Sequence, residues 1–168
     1  MILDRAKWPD IDIDLAVNCI ESRRKLKGKV QEWYETQGLI FPLKLSAEQC
    51  SSSATGRYKA ALAESITGNK SEWTLADLTG GLGVDSWFFS KRASKVAYFE
   101  MKEVLCQAAK HNFKMLEADN IIVTNLELNK ETCAVLEAYR PDIIYMDPAR
   151  RGEGGKKVFL IEECTPDV

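Results

Sequence analysis

The sequence predicts an α/β fold, with a helical leader over residues 1–70 followed by a parallel sheet with crossover helices over residues 71–168. Three observations predict it. Apolar residues between Asp12 and Ile66 recur at spacings of three and four, the period of a helix face. Beyond residue 73, short apolar runs alternate with amphipathic stretches, and such alternation requires right-handed crossovers between parallel strands. A glycine-rich turn lies between the first such run and the first amphipathic stretch.

In chain order, Ile13, Val17 and Ile20 mark a first helix, and Leu26, Val30 and Trp33 continue the pattern. Gly38 and Pro42 break the leader in two, and Tyr58, Leu62 and Ile66 form a later helical stripe. The expected strands are Thr74–Leu78, Val96–Phe99, Ile121–Thr124 and Ile143–Met146. Between them lie a helix from about Val84, one carrying Leu105, Ala109, Asn112 and Leu116, and one near Thr132–Tyr139. In such a sheet, ligands bind beyond the carboxyl ends of the strands where the winding direction reverses. A doubly wound domain would continue past a fourth strand, so the sheet is expected to be incomplete in these 168 residues.

Composition narrows the function classes. With 45% hydrophobic and 29% charged residues the chain can bury a core. No apolar run approaches the ~18 residues of a membrane helix, and the first residues lack a signal-peptide layout, so a cytoplasmic location is expected. The net charge of -2 advertises no global attraction for nucleic acid. Cys19, Cys50, Cys106, Cys133 and Cys164 are too widely spaced for a zinc site or a disulfide framework and read as reduced, mostly buried thiols. A single histidine, His111, excludes mechanisms and metal sites that need two imidazoles, and no metal is expected.

The segment Asp77-Leu-Thr-Gly-Gly-Leu-Gly83-Val-Asp85 closes one strand and opens a helix. Its glycines allow positive φ and close approach of a ligand, and the helix start offers free N–H groups. Glu100, 17 residues beyond Gly83 at the end of the second strand, can accept hydrogen bonds from both hydroxyls of a ribose. Nicotinamide and S-adenosylmethionine cofactors both satisfy this. Glycines at 80, 81 and 83 depart from the pyrophosphate-binding G-x-G-x-x-G, and Asp77 can receive an ammonium group; both details favour S-adenosylmethionine. The competing structural roles are that Asp77 ties the loop amides and Asp85 serves as an early acidic residue of the helix.

This segment, with Glu100, resembles motif I and the acidic loop of class I S-adenosylmethionine-dependent methyltransferases. Its Gly-Leu-Gly-x-Asp form is similar to the bacterial 16S rRNA guanine-N2 methyltransferases, and more so to bacterial methyltransferases with a carboxy-terminal THUMP-like domain. The resemblance runs from about Phe41 to Val168 and implies a Rossmann-like core. It implies S-adenosylmethionine bound by Asp77, Thr79, Gly80, Gly81, Gly83, Asp85, Glu100 and Met101. Asn120–Glu127 aligns with the family's Asn-Val-x-x-x-x-x-Asp, which puts Glu127 at the adenine amino group, with Asn125 as the substitute.

Asp142-Ile-Ile-Tyr-Met-Asp147-Pro148-Ala149-Arg150-Arg151 runs from an apolar strand into an acid and a proline, and resembles motif IV of amino-group methyltransferases acting on nucleobases. The resemblance implies that Asp147 and the backbone at Pro148–Ala149 accept hydrogen bonds from the target amine, so that catalysis is mainly alignment. Ala149 replaces the second proline and Arg150 the aromatic residue. An arginine plane can stack on an extruded base or pair with phosphate; otherwise Arg150 and Arg151 form a solvated loop pair. The segment is also similar to the Asp-Pro-Pro-Arg-x-Gly of 5-methyluridine RNA methyltransferases, but the one candidate nucleophile, Cys164, lacks that family's context.

The resemblance further implies an RNA partner, rRNA or tRNA. Arg23–Lys29 puts five basic residues in seven positions, either a phosphate-contacting patch or, more commonly, a solvated face. Gln49–Lys59 is unusually polar and small; its opening Gln49-Cys-Ser-Ser resembles a segment that precedes motif I in the THUMP-like family and lies near the cofactor's methionine end in related enzymes, with helix capping as its ordinary alternative. Gly56 stands where that family has alanine and should loosen its helix. The competing functional classes are a cofactor-binding module without catalysis and a methyltransferase for a small molecule or protein.

Overall fold

The computed structural model describes residues 8–68, 70–127, 129 and 134–148. The leader forms α1 (Ile13–Leu26), α2 (Gln31–Glu35), α3 (Lys44–Gln49) and α4 (Ser53–Ile66). The break at Gly38 and Pro42 is present, but the leader is cut twice more, at Gly28 and at Cys50–Ser52. Asp12 caps α1 by accepting from Leu15 N at 3.0 Å, and Ser52 caps α4 by accepting from Thr55 N at 3.2 Å. The basic run serves the helix ends. Arg23 donates to Tyr34 O (2.7 Å) and Thr36 O (2.5 Å), Lys29 donates to Glu48 O (2.6 Å), and Lys25 pairs with Glu48 at 3.4 Å. Carbonyls left unpaired where α2 and α3 end thereby gain cationic partners.

The α4 stripe is corrected by the structure. Tyr58, Leu62 and Ile66 are exposed, while Gly56, Ala60 and Ala63 form the buried face. Small residues are required there because Phe88 of the next helix lies against them; a Cβ at position 56 would overlap the Phe88 ring. Gly56 therefore does not loosen the helix, which is continuous through it, but permits a close helix pair.

The remaining elements are β1 (Thr74–Asp77), α5 (Val84–Ser90), β2 (Lys95–Glu100), α6 (Glu103–Met115), β3 (Ile121–Asn125), α7 (Ala134–Tyr139) and β4 (Ile143–Tyr145). Among the described residues the four strands form one parallel sheet in the order β3-β2-β1-β4. The chain winds outward from β1 to β3 and then crosses to the other side of β1, so winding reverses between β1 and β4. One face buries Trp73, Leu75, Val96 and Tyr98 against the leader, α5 and α6; the other buries Ala76, Ala97 and Phe99 with Val135, Leu136 and Tyr139 packed on them.

Leu105, Ala109, Asn112 and Leu116 of the α6 region all face the core, as their spacing predicts. Asn112 is fully buried and clamps the leader: its Oδ1 accepts from Ile40 N and its Nδ2 donates to Ile40 O, both at 2.8 Å. His111 Nε2 lies 2.8 Å from Gly38 O on the same seam. Among the described residues Cys19, Cys50 and Cys106 are free thiols, and Cys106 is buried; Cys133 and Cys164 lie outside them. No described helix is long and apolar enough to cross a membrane, and no described His/Cys/Asp/Glu cluster could hold a metal ion.

Candidate functional site

The reversal point between β1 and β4 gathers most of the residues singled out by the sequence. The loop after β1 is pinned from below, with Gly80 N donating to Phe99 O at 2.8 Å and Tyr98 OH donating to Gly81 O at 2.7 Å. Its glycines divide by role. A Cβ on Gly80 would overlap the Tyr98 ring, and one on Gly83 (φ 93°) would lie 2.7 Å from Phe113. Only at Gly81 (φ 55°) is the added atom clear, with Thr79 O at 3.6 Å its nearest neighbour. Gly80 and Gly83 are thus fixed by protein packing, whereas at Gly81 the positive φ, and not crowding, favours glycine.

Asp77 ends β1 with 1% exposure. Its Oδ1 accepts from Thr79 N at 3.0 Å and its Oδ2 from Ser86 Oγ at 2.6 Å. Burial pushes its carboxyl up to about 7, against the opposing pull of the Ser86 and Thr79 hydrogen bonds. Each oxygen thus takes one hydrogen bond, through which Asp77 ties the glycine loop to α5.

Asp85, in the first turn of α5, stands differently. Its Oδ2 accepts from Ser51 Oγ (3.0 Å), Lys59 Nζ (2.8 Å) and Tyr145 OH (3.0 Å). Its Oδ1 is buried with no hydrogen-bond partner. A buried carboxylate oxygen without a donor is costly, and its position marks a place where a ligand's N–H or O–H group would be stabilised.

Glu100 ends β2, its Oε2 accepting from Gly81 N and its Oε1 from Lys102 N, each at 2.9 Å. Met101 beside it is 47% exposed. Asn125 ends β3 in register with Glu100 and donates from Nδ2 to Glu100 O (2.8 Å) and Met101 O (2.9 Å). Glu127 lies beyond the strand end, so Asn125 is the residue that borders Glu100 and Met101 directly.

Asp147 follows β4 with its side chain 61% exposed. Its backbone N–H donates to Thr79 Oγ1 at 2.7 Å, which ties the loop after β4 to the loop after β1. Its Oδ2 lies 3.8 Å from Lys59 Nζ. Pro148 is half-buried next to it, whereas Ala149, Arg150, Arg151 and Cys164 lie outside the described residues.

Sequence reasoning gave no role to Lys59, Tyr145 or Ser86, and marked Ser51 only as part of its segment. Lys59 Nζ meets Asp85 Oδ2, Ser51 Oγ (3.0 Å) and Tyr145 OH (2.5 Å), and lies 5.0 Å from the Tyr145 ring centroid. Burial, with Asp85 next in effect, raises the Tyr145 phenol far above its ordinary range and keeps it a donor. Ser51 and Lys59 both belong to the polar Gln49–Lys59 segment, whose composition and likeness to the stretch before motif I were the visible signals.

A matching solved structure, from Porphyromonas gingivalis W83 and described as a methyltransferase, shares 32% identity with this chain and superposes with a TM-score of 0.74 over 94% of it. The chain spans only 38% of that relative's length. Two other structures overlap less: a cofactor-bound protein from MTB, Rv0187 (18% identity, TM-score 0.49, 85% of this chain and 56% of that one), and an RNA methyltransferase by description, PH1948 from Pyrococcus horikoshii (19%, 0.47, 78% and 62%). No family model and no curated protein matches the sequence. The chain thus has a methyltransferase-like fold, a four-stranded parallel sheet following amino-terminal helices.

Proposed function

We propose that this chain is the cofactor-binding part of an S-adenosylmethionine-dependent methyltransferase acting on an exocyclic amine of an RNA base, with residues 71–168 as the cofactor domain and 1–70 as its helical leader. The observation that carries the proposal is the set of acceptors at the reversal point: the orphaned Asp85 Oδ1 and the outward-facing Asp147, with Glu100 at the adjoining strand end. Lys59 neutralises only one of the two nearby carboxylates Asp85 and Asp147, which leaves the cluster net negative. A cationic ligand suits that balance better than a pyrophosphate does. The residues fit the cofactor: Asp85 Oδ1 would accept from its ammonium group, Glu100 from its ribose hydroxyls, Gly81 would admit its approach, and Met101 and Asn125 would border the adenine, with Glu127 further out.

When bound, the cofactor supplies a methyl group already activated by its sulfonium. The protein's task is to orient the amine. Asp147 and the Pro148–Ala149 backbone would accept the amine's hydrogens and direct its lone pair at the methyl carbon. The proton that the methylated nitrogen sheds would pass by way of the exposed Asp147 carboxylate to water. The amine target follows from the likeness of Asp147-Pro148 to motif IV. The guanine-N2 assignment and the THUMP-like partner domain follow from the wider resemblance of the Gly-Leu-Gly-x-Asp segment.

The test is transfer of a labelled methyl group to unmodified transcribed rRNA and tRNA, with and without ribonuclease. Ribonuclease-sensitive transfer is the expected result. Transfer that survives ribonuclease points to a small-molecule or protein acceptor and overturns the RNA assignment, while cofactor binding without any transfer assigns a non-catalytic module.

A further inference from the structure

Lys59 closes the polar Gln49–Lys59 segment and was given no role by the sequence, yet it touches Asp85, Ser51, Tyr145 and Asp147 together. An ammonium carries three protons, and three acceptors take them: Asp85 Oδ2 at 2.8 Å, Ser51 Oγ at 3.0 Å and Tyr145 OH at 2.5 Å. Asp147 Oδ2 is the fourth neighbour, at 3.8 Å, within ion-pair range but left without a proton. The lysine side chain is 24% exposed and that of Asp85 14%, so their charges sit partly out of water, whereas Asp147 reaches into it. The aliphatic stem comes from α4, an element outside the sheet, and the headgroup lies beside the Tyr145 ring at the end of β4.

Two constraints act on Asp147. Thr79 Oγ1 holds its backbone N–H at 2.7 Å, and the Lys59 field draws its carboxylate back toward the reversal point. Without the ammonium, Asp85 and Asp147 would face each other as like charges, and the exposed partner would turn outward. We propose that Lys59 is a positioning residue for methyl transfer: it fixes the direction of the Asp147 carboxylate, and so of the amine bound to it, without touching the methyl group. The inference rests on the methyltransferase reading above. It makes the helical leader part of the catalytic machinery.

The test is a mutant cycle on the full chain, with transcribed rRNA and tRNA as acceptors and cofactor affinity measured separately by calorimetry. Lys59→Met is expected to lower kcat about 10- to 100-fold, the usual effect of misplacing a reacting group by about 1 Å. Lys59 also pairs with Asp85, so kcat is read at saturating cofactor, where a change in cofactor Kd does not enter it. Lys59→Arg, which keeps the charge, is expected to recover most of the rate. In an Asp147→Asn background, Lys59→Met should cost nothing further, because both act through one carboxylate. A full additional loss in that background, or a loss confined to cofactor affinity, overturns the proposal while leaving the methyltransferase reading intact. A wild-type chain that binds the cofactor but never transfers overturns both. Lys59→Gln keeps a donor to Asp85 without the charge and serves if the methionine variant does not fold; wild-type kcat in it also overturns the role.

Discussion

Asp77 shows how far a residue's chemistry can be read before its surroundings are known. Its place at a strand end before a glycine loop was legible, but its occupation was not, because that depends on Ser86 returning from α5 to within 2.6 Å. The carboxyl is raised to about 7 by burial, from an ordinary value of 3.8. Since the folded state holds this proton more tightly than the unfolded chain, its contribution to stability is full below the unfolded value and is lost as pH rises through about 7. The loss is on the order of 4 kcal/mol at most. Chemical denaturation at pH 5 and pH 7.5 should therefore show a fall in stability for wild type that is much reduced in Asp77→Asn. Equal slopes in the two proteins would refute the assignment. The sequence put Glu127 at the adenine end with Asn125 as its substitute, and of the two Asn125 is the one in register with Glu100.

At the scale of elements, all four strands were legible to within about a residue at each end, because each is an apolar run bounded by turns, buried in β1 and β2 and part-exposed in β3 and β4. The α4 face was not. Its large residues suggested a buried stripe, but the helix approaches α5 through Gly56, Ala60 and Ala63, and closeness selected small side chains over apolar bulk. Gly56→Ala is accordingly expected to destabilise the fold by about 1–3 kcal/mol through overpacking against Phe88, despite alanine's better helix propensity. A gain of stability in urea titration would contradict the packing account. The leader is joined to α6 by Asn112, whose amide satisfies both backbone groups of Ile40. Asn112→Ala orphans two partly buried polar groups and should cost about 2–4 kcal/mol, read as a lower urea midpoint. A loss below about 0.5 kcal/mol would mean that this seam is held elsewhere.

For the molecule as a whole, alternation of strand and helix predicted a reversal of winding, and the strand order β3-β2-β1-β4 places it between the two segments richest in chemistry. What stayed hidden was the long-range part of the site. Lys59 and Asp85 are 26 positions apart, and Lys59 and Tyr145 are 86 apart; no local pattern links them. Their meeting is a property of α4 packing on α5, and so of Gly56. The acceptors gathered there, Asp85 foremost, would bind S-adenosylmethionine. A ligand that prefers the folded state stabilises it by about 2.7 kcal/mol at a hundredfold excess over Kd, so binding should also raise Tm. The most direct measurement is calorimetric titration of S-adenosylmethionine into the wild-type chain and into Asp85→Asn. One site per chain in wild type, weakened about tenfold or more in Asp85→Asn, is the predicted result. No saturable binding to wild type, or equal affinity in the two proteins, would contradict it.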